Sequence, residues 1–176
     1  MKIMQTQAIG LCLVLLLAAC TGGNNPRHEE ANPNEYASME DAEGSVQRMS
    51  VYDFTDTLRM GSHEYVYTIH REPADSLPTV TDDFGSVFAD NIYSLTLRRD
   101  GTTYFSRSFT KNAFAHLLSS DMRRNGVLDG MMCDTTCTGF CFAVSVSQPQ
   151  SDLFEPFLLT IDDQGGMTIT RDTRLE

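Results

Sequence analysis

The chain has 176 residues, with 13 Lys and Arg against 24 Asp and Glu, giving a formal net charge of −11. That length holds one ordinary domain, or a domain and a tail. The acidic balance argues against a phosphate-backbone binder, which needs clustered cations to release counterions. An apolar fraction of 41% is enough for a packed core, and no apolar run reaches the roughly 18 residues of a membrane-spanning helix.

The N-terminus carries the strongest signal. Lys2 supplies a short positive region, and residues 8–19 are apolar apart from Gly10. Such a run is too short to span a bilayer but fits a secretory signal. It ends in Leu17-Ala18-Ala19-Cys20, which resembles a bacterial lipobox. Residues 1–19 are therefore expected to be a lipoprotein signal, with Cys20 the lipid-bearing residue and the bilayer a partner through its acyl chains. Each buried CH₂ contributes about 0.8 kcal/mol, and two or three chains make anchoring effectively permanent. Removal of the signal leaves 157 residues with 12 basic and 24 acidic side chains, a net charge of −12. Residues 20–45 are rich in Gly, Asn, Pro and acidic side chains and read as a flexible tether. About 25 such residues reach roughly 25–30 Å.

From residue 46 to 176 the pattern changes to short alternating segments separated by turn residues. Strands are expected over 51–58, 64–70, 92–99 and 102–109, the last two joined at Asp100-Gly101, which tolerates positive φ. Thr110 is a candidate N-cap for a short helix over 111–118, with Ala113, Phe114, Leu117 and Leu118 on one stripe. Further strands are expected over 126–133, 140–147, 157–162 and 167–171, with 163–166 closing a hairpin. The expected fold is β-rich α+β: a single antiparallel sheet, a sandwich or a half-barrel of about seven to eight strands with one short helix. Aromatics including Tyr52, Phe54, Tyr65, Tyr67, Phe84, Phe88 and Phe105 are expected to fill its core.

Several stretches occur in a telling order: Tyr67-Thr68-Ile69-His70-Arg71, Asp75-Ser76-Leu77-Pro78, Asp90-Asn91, Phe105 to Lys111 and Gly165-Gly166-Met167. In that order they resemble a family of small Gram-negative lipoproteins, of gut-anaerobe type, carrying a domain of unknown function. The resemblance covers residues 46–175 and implies an envelope address and a β-rich body; it brings no activity with it. Cys133, Cys137 and Cys141 depart from the family pattern.

Candidate chemistry is sparse. The Cys133-x₃-Cys137-x₃-Cys141 spacing is wrong for zinc pairs and lacks a fourth ligand, and Asp82-Asp83 with Asp90-Asn91 lacks a calcium-loop spacing. These acids read as solvated loop carboxylates. His70 and His116 read as surface residues, and no nucleophile-elbow or phosphate-loop motif occurs. No cofactor is implied. Arg98, Arg107 and Lys111 lie on or beside one hairpin and form a candidate patch for an acidic partner or a small anionic ligand. Ser76 and Thr57 follow an Asp and precede an apolar residue, resembling acceptors of a periplasmic O-glycosylation system. With three cysteines in the body at most one disulfide can form. If strands 126–133 and 140–147 pair, Cys133 and Cys141 flank the turn, giving a Cys133–Cys141 bridge with Cys137 free; the alternative is three reduced thiols.

The expected function is a non-catalytic binding or accessory module, lipid-anchored in the cell envelope at the outer membrane and facing the periplasm. An envelope hydrolase or thiol enzyme, or a structural subunit of an outer-membrane assembly, is the alternative. An envelope protein or small anionic ligand is the expected partner, with no nucleic acid.

Overall fold

The computed structural model describes residues 44–137 and 139–175. The expected signal segment, Cys20 and all but the last two residues of the tether lie outside the described residues. Among the described residues no helix is long and apolar enough to cross a membrane.

Eleven strands form three sheets: β1 (Val46–Gln47), β2 (Tyr52–Met60), β3 (His63–Pro73), β4 (Val80–Thr81), β5 (Val87–Phe88), β6 (Asn91–Arg99), β7 (Thr102–Phe109), β8 (Val127–Cys133), β9 (Phe140–Ser147), β10 (Phe154–Ile161) and β11 (Met167–Arg171). Two are four-stranded antiparallel sheets, in the orders β2-β3-β6-β7 and β11-β10-β9-β8; a small third sheet orders β1-β5-β4, with β1 and β5 parallel. The β-rich fold with one short α-helix is as expected, but the single-sheet alternative and the count of about seven to eight strands are corrected to three sheets and eleven strands among the described residues. The two-residue strands β1, β4 and β5 are too short to show an alternation, so the third sheet leaves no periodic trace in the sequence.

Alternation dictates the packing. Tyr93, Leu95 and Leu97 of β6 are fully buried, whereas Ser94 and Thr96 face outward and bond Ser108 and Thr96's neighbour Ser106 across β7. Asp100 and Gly101 turn this hairpin with φ of 49° and 82°. The buried faces of the two large sheets meet in one core. There Tyr65 lies 4.7 Å from Phe140, and Tyr67 lies 5.8 Å from Phe142, between ring centroids. Each such side chain contributes about 1.5–3 kcal/mol on full burial. Phe84 and Phe54 are corrected out of this core. Phe84 is 88% exposed at a turn where Asp82 accepts from the Phe84 and Ser86 N–H groups, and Phe54 is 39% exposed on the edge strand β2.

The expected helix over 111–118 is replaced by two shorter pieces. A 3₁₀ turn spans Lys111–Phe114, and α1 spans Ser120–Asn125. Thr110 makes no side-chain cap, whereas Ser119 caps α1 by accepting from the Met122 N–H. Phe114, Leu118 and Met122 are buried.

Candidate functional site

The site lies where β2, β3 and β6 face β8. Antiparallel register places Tyr52, Arg71 and Tyr93 side by side on one row, and alternation turns that row inward with Ile69 and Tyr67. Arg71, 1% exposed, donates through Nε and Nη2 to the Ser50 carbonyl at 3.2 and 2.9 Å, and its guanidinium lies 5.6 Å from the Tyr52 ring centroid. Arg71 is thus a buried charge, whereas its neighbour His70 is half-buried on the other face of β3. His70 bonds Asp53 through Nδ1 at 2.7 Å, which raises its pKa above the ordinary histidine value.

Tyr93 donates to the Asp129 carbonyl at 2.5 Å, and burial pushes its hydroxyl up to about 12. Asp129 is the extra residue of a bulge in β8 between Leu128 and Gly130. Its carboxylate accepts from Ser145 Oγ at 2.7 Å, and burial raises its pKa. Gly130 beside it leaves no room for a side chain: a Cβ would fall 2.2 Å from Ser145 Oγ.

Next to this bulge a cavity of about 230 Å³ opens. Tyr52, Tyr93, Met131, Met132, Val144, Phe154 and Phe157 line it with apolar surface; Ser145 and Asp172 add the polar groups. Met132 (65% exposed) and Phe154 (48%) stand at its rim, and Leu153 next to Phe154 is also exposed. The C-terminal segment secures one side. After β11 the chain turns through a 3₁₀ turn, Thr173–Leu175, and Arg174 bonds both Asp172 (2.7 Å) and Asp134 beyond β8 (2.7 Å). Since β11 and β8 are opposite edges of the sheet, this segment crosses the sheet's outer face. The Thr136 hydroxyl and N–H, with Arg174, hold Asp134 down at about 2.

Structure separates the expected basic patch. Arg98 pairs with Thr103, whereas Arg107 pairs with Leu95, so the two arginines stand on opposite faces of the hairpin. A bulge at Tyr104 prevents the simple register that would align them. Arg98 donates to the Gly101 carbonyl, Arg107 packs 5.8 Å over the Phe109 ring, and Lys111 turns away to Asp90 and Gly126. Asp90 and Asn91 are not solvated either: they are 3% and 0% exposed, and Asp90 accepts from the Leu128 N–H while Asn91 donates to the Leu128 carbonyl.

The Cys133–Cys141 expectation is also corrected. Cys133 pairs with Phe142 on the inward face beside Tyr67, so Cys141, one residue away, points to the opposite face. The disulfide joins Cys137 to Cys141 across 6.3 Å between Cα atoms, and Cys133 is the free thiol. Burial raises its pKa. Ser76 is exposed in the loop after β3, and Thr57 is exposed on edge strand β2. His63 bonds Asp100, and among the described residues no cluster of His, Cys, Asp and Glu is arranged to hold a metal.

The cavity residues escaped sequence reading because they come from five strands and the C-terminus. The available signal was Arg71, a charge falling on the apolar side of an alternating strand. Among curated proteins none matches the chain. The model of one family, DUF4738, a domain of unknown function, matches residues 32–169, and the chain belongs to that family.

Proposed function

We propose that the protein is an envelope lipoprotein, held through acylated Cys20 at the periplasmic face of the outer membrane, whose β-rich domain is a non-catalytic binding module for another envelope protein. The observation that carries the binding reading is the apolar cavity beneath an exposed rim of Met132 and Phe154. Exposed apolar surface of this kind around a concave, desolvated pocket is the pattern of a protein interaction site. At about 230 Å³ the cavity is smaller than the roughly 300–1,000 Å³ of drug-sized ligand sites, so it suits one large apolar side chain of a partner. Ser145 and Asp172 at its wall supply orientation. Ser76 and Thr57 belong to the same proposal as O-glycan acceptors, both being exposed.

The test places a photo-crosslinking residue at Met132 in the native host and, as control, at Phe84. A discrete adduct is expected from Met132 alone, and Ala143→Phe, which fills the cavity, should abolish it. An adduct that survives Ala143→Phe, or that forms equally from Phe84, refutes the cavity as the binding site.

A further inference from the structure

The chain has two lysines, Lys2 and Lys111, and the second is set into a wall rather than displayed on a surface. The Lys111 side chain is 15% exposed; its Nζ lies 3.6 Å from Asp90 Oδ2 and donates to the Gly126 carbonyl. Asp90 is itself fixed, because Oδ1 accepts from the Leu128 and Asn91 N–H groups at 2.9 Å each. The lysine charge is therefore matched by one buried carboxylate. Arg123 and Arg124, in the last turn of α1, have no such match. Arg123 donates to the Leu118 carbonyl at 2.9 Å, and among the described residues no carboxylate lies within ion-pairing distance of either guanidinium.

These three cations line a cleft of about 170 Å³ together with Thr79, Thr110, Asn112 and Asp90, whose carboxylate offsets the Lys111 charge and leaves the two arginine charges in excess. A helix C-terminus favours nearby cations, which accounts for arginines at this end of α1. It does not account for their sharing one concavity with Lys111, Thr79, Thr110 and Asn112. We propose that this cleft binds a phosphate group, either inorganic phosphate or a phosphomonoester. Guanidinium forks match phosphate oxygens in bidentate fashion, hydroxyl and amide donors complete the shell, and the cleft has room for the group with a small substituent. A local concentration of positive charge on an otherwise acidic chain focuses the field toward the cleft. The proposal stands apart from the apolar cavity and its test does not depend on it.

The experiment titrates the full chain in detergent micelles with inorganic phosphate and with glycerol 3-phosphate by calorimetry, holding ionic strength constant with chloride. Saturable binding is expected, weakened about tenfold or more by Arg124→Ala, which removes an exposed side chain with no ion-pair partner among the described residues, and unchanged by Arg98→Ala. Tighter binding of glycerol 3-phosphate assigns the natural ligand to a lipid headgroup or similar ester; equal binding assigns it to free phosphate. If neither ligand saturates, or if Arg124→Ala, shown folded by circular dichroism, binds as the parent does, the proposal is overturned.

Discussion

Gly130 is required by its neighbour rather than by its backbone. At Gly101 the φ of 82° asks for glycine in a turn, but at Gly130 the constraint is Ser145 Oγ, 2.2 Å from where a Cβ would stand. Ser145 cannot simply retreat, since its hydroxyl bonds the half-buried Asp129 carboxylate. Gly130→Ala should therefore cost about 1–3 kcal/mol, the range for an overpacked site. Chemical denaturation measures it, and the cycle with Ser145→Ala should recover most of the Gly130→Ala loss, because the clashing atom is gone. Strictly additive effects would show that the clash is relieved elsewhere. At this scale the sequence is legible where a residue acts on its own backbone: the hairpin expected at 163–166 is closed by Asp162, which accepts from the Gln164 and Gly166 N–H groups. It is illegible where a residue acts across strands. The separation of Arg98 from Arg107 and the cysteine pairing both depend on register, which the bulges in β7 and β8 reset.

Whole elements follow the same division. The long strands β6, β7, β9 and β11 fall where alternation places them, because half-buried strands must alternate. The helix starts at the second of two candidate caps: Thr110 and Ser119 both carry a hydroxyl, but only Ser119 accepts from a helical N–H, and Phe114, Leu118 and Met122 are buried around that turn. The C-terminal crossing left no periodic signal at all, being a short segment held by side chains. Its fastening is electrostatic, so it should respond to acid. Asp134 is held at about 2, by Thr136 first and Arg174 with it, and Asp172 is lowered chiefly by Arg174. For acids lowered in the folded state, the stabilisation is complete above the unfolded value near about 3.9 and is lost as pH falls through the folded value. The Arg174 Nε–H resonance should accordingly be protected at pH 5 and lose protection between about pH 4 and 2. Asp134→Asn should weaken protection at neutral pH. Protection unchanged at pH 2 would show that the crossing is held by packing instead.

For the molecule as a whole, charge and anchoring have to be reconciled. A net charge of −11, or −12 once residues 1–19 are removed, makes the surface unfavourable for anionic headgroups, so the folded body offers little electrostatic hold on a membrane. The cleft proposed to bind phosphate sets three cations against the one carboxylate of Asp90 and does not reverse that balance. Membrane association on the proposed reading must then come from covalent lipid at one atom, the Cys20 thiol, where each buried CH₂ is worth about 0.8 kcal/mol and a second chain makes release negligible. The expectation is all-or-none: wild-type protein expressed in the native host should incorporate labelled palmitate and partition wholly into the detergent phase. Cys20→Ala should incorporate none and keep its signal segment uncleaved; because the apolar run 8–19 then stays on the chain, the label and not the phase is the readout. Cys133→Ala should behave as wild type, since its thiol is turned into the domain beside Tyr67. Label retained by Cys20→Ala would remove the lipoprotein reading, and with it the periplasmic address on which the proposed partner depends.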